Sequence, residues 1–352
     1  MSRRLRVLIA FALVVLAIPT MGAGGRSADA RSEHQRVLEF WTHERVAQAV
    51  PRDIVFDPVT NRYFVAKPDN PGNGNGGGKG GGNGGGKGKP AADVTGASWD
   101  GGGAVVESTG KVLFQLGLDA EGNPQFWVCS ASVVDDPAAD RSIILTAAHC
   151  VYDNVTGEFA TNWMFIPNYD AAPAPLSTSS NSFCDDTLHG CWTAEHIVLS
   201  GGFAFAGGFN LFAIISDYAF VVTGPGGHDA TTYVETLGSQ DIMFSQPADL
   251  SVHAFGYPHA PPYDGSDLVY CSGGAGFDPG TLNLTYRLPC DMTGGASGGP
   301  WGIQFADGSG FLMSLTSYRY QGDEAVYGPK FDSSVQILFQ VALTAGDDTI
   351  VL

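Results

Sequence analysis

Residues 71–90 read PGNGNGGGKGGGNGGGKGKP, with 12 glycines in 20 positions. Such a run loses too much entropy on ordering and has nothing to bury, so it reads as a flexible linker. It divides the 352-residue chain into two pieces that fold on different terms. A glycine loop that cradles phosphate needs a strand before it and a helix after it, and neither pattern flanks this run. Charge changes across it too. Residues 1–90 hold 13 of the 18 Lys and Arg but 7 of the 36 Asp and Glu, and residues 91–352 carry a net charge of −24. A domain so poor in basic residues lacks the clustered cations that bind phosphate, which argues against a nucleic-acid partner.

The piece ahead of the linker reads as export and processing sequence. Arg3, Arg4 and Arg6 precede an apolar stretch from Val7 to Pro19. That stretch has the length of a signal-peptide core and falls short of the roughly 20 residues a membrane-spanning helix needs. Small residues follow at Met21-Gly22-Ala23 and Ala28-Asp29-Ala30, either of which suits cleavage. Residues 1–30 are therefore expected to be a signal peptide. The mature protein is expected outside the cell, free of the membrane, where disulfides persist. Ser2-Arg3-Arg4 leaves a twin-arginine export route open. Val37, Leu38, Trp41, Val46 and Val50 lie among polar neighbours, as in an amphipathic helix over 31–50 that Pro51 ends. Ile54-Val55-Phe56 and Tyr63-Phe64-Val65 predict two short strands. A small unit before a tether, residues 31–70, reads as a propeptide awaiting cleavage.

From Ala104 the pattern becomes all-β. Short Val-, Ile-, Phe- and Leu-rich runs recur between Gly, Pro, Asp and Asn clusters, for example Lys111–Leu116, Gln125–Val134, Ser142–Ala147 and Leu250–Phe255. Asn162–Ile166, Tyr218–Val222 and Phe311–Leu315 continue the series, and Val335–Val341 alone admits a helical period. Regular short strands with turn signals mean a sandwich or barrel.

Three segments carry chemistry. In Ser142–Cys150 an apolar strand gives way to small residues, then His149 and Cys150, so a rigid strand holds an imidazole at its end. In Asp291–Pro300 the hydroxyl of Ser297 is ringed by glycines. These permit strained dihedrals and let the N–H groups of Gly295 and Ser297 converge on one point, as an oxyanion requires. In Ile214–Val222 an acidic residue, Asp217, opens an apolar strand. A buried carboxylate there needs a partner, and an imidazole N–H is a suitable one. Each segment alone also has a plain reading: a surface histidine, a glycine-rich turn, a solvated aspartate. The stretch Gly295–Gly299 also fits a nucleophile elbow, but that fold places its histidine after the serine, and no histidine follows Ser297. The order is His149, Asp217, Ser297.

In these segments, TAAHC at 146–150, SDYAFV at 216–221 and GGASGGP at 294–300, the chain resembles the trypsin-like serine peptidases over about residues 100–345. Phe255-Gly256-Tyr257-Pro258 is similar to a turn of the bacterial glutamyl endopeptidase group, and residues 39–53 are similar to propeptides of secreted actinobacterial members. The resemblance implies two six-stranded antiparallel β-barrels with a C-terminal helix, occupying 91–352, the first barrel at about 100–225 and the second at about 226–345. It implies a secreted serine endopeptidase, likewise a monomer, acting on proteins or peptides without metal or cofactor. Its catalytic residues would be His149, Asp217 and Ser297, with Gly295 and Ser297 forming the oxyanion hole. It implies a Cys129–Cys150 disulfide, beside Cys184–Cys191 and Cys271–Cys290 as local pairings. A metal site at Cys184, His189 and Cys191 is the weaker alternative. Asp291 and Thr316 are the candidates for the substrate pocket. Ala296 stands where animal trypsins carry an activating Asp, so latency is expected from the chain's own propeptide. A non-catalytic binding protein on the same scaffold, and an esterase using the same triad, are the competing functions.

Overall fold

The computed structural model describes residues 26–66, 93–137, 140–177, 182–345 and 348–352. The expected linker at 71–90 lies outside them, as does the expected signal peptide up to residue 25. Two helices come first, α1 (Arg26–Phe40) and α2 (His43–Gln48). The single helix expected over 31–50 is thus broken, for a local reason. The Thr42 hydroxyl accepts the Arg45 N–H and starts α2 afresh. Trp41, fully buried, leaves the helix to donate its indole N–H to the Asn162 carbonyl. Next come β1 (Val50–Pro51), β2 (Asp53–Asp57) and β3 (Arg62–Ala66), the last two forming an antiparallel hairpin. A short β4 (Val94–Ser98) follows the linker.

The first barrel uses β5 (Thr109–Leu118), β6 (Pro124–Val134) and β7 (Ser142–Thr146). A small hairpin of β8 (Tyr152–Asp153) and β9 (Glu158–Phe159) intervenes before β10 (Thr161–Pro167), β11 (Trp192–Leu199) and β12 (Ala219–Thr223). The ladder runs β6–β5–β10–β11–β12–β7, and β7 pairs back onto β6, so the sheet closes. Period-two alternation sorts the side chains. Val112, Phe114 and Leu116 of β5, with Cys129, Ala131 and Val133 of β6, fill the barrel. Leu113 and Val128 point outward into a second core shared with Val37, Trp41 and Val46 of the N-terminal helices. With both faces covered, these strands read as unbroken apolar runs.

The second half contains β13 (Asp241–Ile242), β14 (Leu250–Gly256), β15 (Val269–Phe277), β16 (Thr285–Pro289), β17 (Pro300–Ala306), β18 (Ser309–Leu315), β19 (Tyr318–Tyr320) and β20 (Ala325–Pro329). They pair in the order β13–β18–β17–β14–β15–β16–β20–β19. The sheet curls until β18 packs on β20, where the Ser314 hydroxyl donates to the Pro329 carbonyl. Val252, Cys271, Leu288, Trp301 and Val326 lie in its core. The C-terminal helix, Ser333–Thr344, returns to the first barrel and inserts Val335, Leu338 and Phe339. Cys129–Cys150, Cys184–Cys191 and Cys271–Cys290 are bonded.

Candidate active site

The strand β7 ends at Thr146, and a single tight turn, Ala148–Cys150, carries His149. Cys150 is tied to Cys129 of β6, so the turn is pinned to the neighbouring strand. Asp217 lies just before β12, which pairs with β7, and this brings the carboxylate to the imidazole. The Asp217 Oδ2 lies 2.7 Å from His149 Nδ1, and its Oδ1 accepts the His149 backbone N–H at 2.9 Å. A third donor arrives from the second half, the Ser317 hydroxyl, at 2.5 Å from Oδ2. Asp217, His149 and Ser317 are all 0% exposed. A carboxylate removed from water is tolerable here because donors surround it.

Ser297 sits in the loop before β17, 2% exposed. Gly295 and Gly298 have φ of 103° and 83°. A Cβ at Gly298 would fall 2.3 Å from the Ser130 carbonyl, so conformation and space both demand glycine. The loop is stitched to the first barrel through one residue. Ser130 donates its N–H to the Ser297 carbonyl (2.7 Å) and its hydroxyl to the Gly295 carbonyl (2.8 Å), while accepting the Tyr257 N–H (2.9 Å). Because Ser130 follows Cys129, Ser297 is held beside the bridge that pins the His149 turn. On its other side the loop bonds Thr316, whose carbonyl accepts the Gly298 N–H and whose N–H donates to the Gly299 carbonyl. Among the described residues, no acceptor is bonded to the N–H groups of Gly295 and Ser297. The His149 Nε2 faces the Arg52 carbonyl oxygen at 3.2 Å.

The two pocket candidates fall differently. Asp291 is exposed, and its carboxylate accepts the Tyr263 hydroxyl at 2.5 Å beneath the backbone of Gly96. Thr316 is buried, and its hydroxyl accepts the Trp301 indole N–H at 3.0 Å. The metal-site alternative is overturned, since Cys184 and Cys191 share a disulfide and His189 bonds Glu107 at 2.7 Å. The one cluster of metal-type ligands among the described residues, Cys129, His149 and Cys150, likewise has both sulfurs bonded to each other. The sequence reading missed Ser130, Ser317, Arg52 and Arg319. Ser130 carries a weak signal, a serine next to a half-cystine in an apolar strand. The others have none, because their roles depend on partners about 100 or more residues away.

No protein-family model matches the sequence, and no curated protein matches it. Solved structures do. A thermostable serine protease, AL20, from an extremophilic microorganism is 32% identical, covering 69% of this chain and all of its own, with a TM-score of 0.56. The protease Anisep from Arthrobacter nicotinovorans is 30% identical over 71% of this chain and all of its own, with a TM-score of 0.56. A Glu endopeptidase bound to MPD, 15% identical over 72% of this chain and 98% of its own with a TM-score of 0.50, shares the fold. With one closed six-stranded barrel, a second curled sheet and a C-terminal helix, the chain belongs to the serine proteases of the chymotrypsin-like double-barrel fold.

Proposed function

We propose that the protein is a secreted serine endopeptidase, made as a precursor that residues 31–70 keep latent. Ser297 Oγ attacks the peptide carbonyl carbon while His149 Nε2 takes the hydroxyl proton. The Gly295 and Ser297 N–H groups stabilise the oxyanion. The carbon–nitrogen bond then breaks, and the proton on His149 passes to the leaving amine. Water, deprotonated by His149, attacks the acyl-enzyme and frees Ser297. Asp217 holds the imidazole with Nδ1 protonated and stabilises its cation. The observation that carries the reading is the fully buried Asp217, bonded to His149 at two points beside a serine loop whose Gly295 and Ser297 N–H groups have no bonded acceptor among the described residues.

A fluorophosphonate probe should label Ser297 in the activated protein, and that protein should digest a denatured protein substrate as well as small esters. Absence of labelling would end the proposal. Ester turnover without protein digestion would leave an esterase.

A further inference from the structure

Residues 50–57 run through the groove between the two halves with backbone bonds on both sides. β1 pairs parallel with β6, Val50 opposite Trp127 and Pro51 opposite Val128, and the Arg52 N–H donates to the Val128 carbonyl. β2 pairs parallel with β19, Ile54 opposite Tyr318 and Phe56 opposite Tyr320. The side chains lock this path. Arg52 reaches Asp153 of the β8 hairpin at 3.0 Å, in the first half. Asp53 meets Arg319 of β19 at 2.7 Å, in the second. Ile54, fully buried, packs with Ile214, Tyr318 and Tyr327. Both halves therefore read one strand, and they read it through charges of opposite sign.

The strand also faces the catalytic group the wrong way round. In acyl transfer the leaving amide nitrogen must approach His149 Nε2 to collect its proton. Here a carbonyl oxygen, that of Arg52, stands at Nε2. Asp217 accepts at Nδ1, and the Arg52 carbonyl can only accept at Nε2. That carbonyl therefore occupies the nitrogen that would otherwise take the Ser297 proton. Among the described residues, no carbonyl is bonded to the Gly295 and Ser297 N–H groups, which would hold the carbonyl of a bond about to break.

We propose that residues 50–57 are an uncleaved, backward-running occupant of the proteolytic groove, selected by Asp153 through Arg52 and by Arg319 through Asp53. The ligand class is an extended peptide with adjacent basic and acidic residues, bound with its polarity reversed. The inference rests on the reading of Ser297 as nucleophile. Removing Arg319 strands a buried Asp53 charge, and a charge at position 54 cannot enter the apolar site.

The test follows fluorophosphonate labelling of Ser297 in the full chain, with intact mass measured in parallel. Arg319→Ala and Ile54→Asp should each label at least about 30-fold faster than wild type. The double exchange Asp53→Arg with Arg319→Asp should restore slow labelling, which damage to the fold would not do. The wild-type chain should stay uncut between Pro51 and Ile54. Equal labelling rates in wild type and both variants, no rescue by the exchange, or a cut between Pro51 and Ile54 would each overturn the inference alone. If no form labels, including chain from which the front piece has been cut away, the nucleophile reading fails and the inference fails with it.

Discussion

The first barrel closes on itself, β7 against β6, whereas the second sheet ends at β19 with an edge that β2 and β3 take up. Under the proposed function, the difference maps onto two tasks. Closure removes edges and freedom together, and the closed half holds the imidazole and the carboxylate whose spacing must not drift. An open edge offers unpaired N–H and C=O groups, which is how an extended peptide is recognised without regard to its sequence. The closed half keeps geometry, and the open half receives chain. Ser317 links them, donating from the end of the open sheet to the carboxylate of the closed one.

Five variants probe this contrast, in falling order of effect. Ser297→Ala removes the hydroxyl supplied by the second half and should lower peptide hydrolysis about 10⁶-fold, read as turnover of a denatured protein. Asp217→Asn in the closed half should cost about 10⁴-fold in kcat, because the asparagine favours the wrong imidazole tautomer. A loss under tenfold would mean that the closed barrel holds His149 without its carboxylate. The disulfides give a sharper test. Cys129–Cys150 and Cys271–Cys290 close loops of 21 and 19 residues, so replacing either pair by serine should cost about 3 kcal/mol in urea unfolding. Activity of the folded protein should fall for the first pair and hold for the second. Equal losses of activity would erase the distinction between the halves.

The smallest effect concerns the seam. Lys111 of β5 is buried, donates to the Gly265 carbonyl in the second half and lies 3.9 Å from the Tyr169 ring. Burial pulls its amine down to about 7, against the opposing pull of Asp264 and Asp170. The folded state thus releases this proton at a lower pH than the unfolded chain does. Stability from this group should rise by about 1 kcal/mol per pH unit from about 7 towards the ordinary lysine value and stay level below 7. Lys111→Met should remove that slope in unfolding curves taken at pH 7 and pH 10. An unchanged slope would show that the seam keeps Lys111 charged.

Much of the candidate site was legible because it is written in short segments. His149, Asp217 and Ser297 each sit in a local pattern, and their order along the chain excludes the elbow alternative. The apolar runs from Lys111 to Phe311 mark strands, since strands buried on both faces leave continuous hydrophobic text. Trp192–Leu199 and Val269–Phe277 were harder to read. Glu195 and His196 interrupt the former, and glycines at 273, 274 and 276 dilute the latter. The break at Trp41 was hidden because a helix pattern does not reveal that one tryptophan will find Asn162, 121 residues on. The course of residues 50–57 was hidden for the same reason. Two short apolar runs predict two strands, but the edge they join depends on partners far along the chain, such as Asp153 for Arg52 and Arg319 for Asp53.

The sewing of the serine loop has a mechanical consequence. Ser130 fastens it to one half and Thr316 to the other, so neither half can slide or rock without dragging the hydroxyl off its mark. Heat or denaturant that loosens the join should therefore silence turnover before either sheet melts, and the loop would act as a strain gauge for the whole molecule.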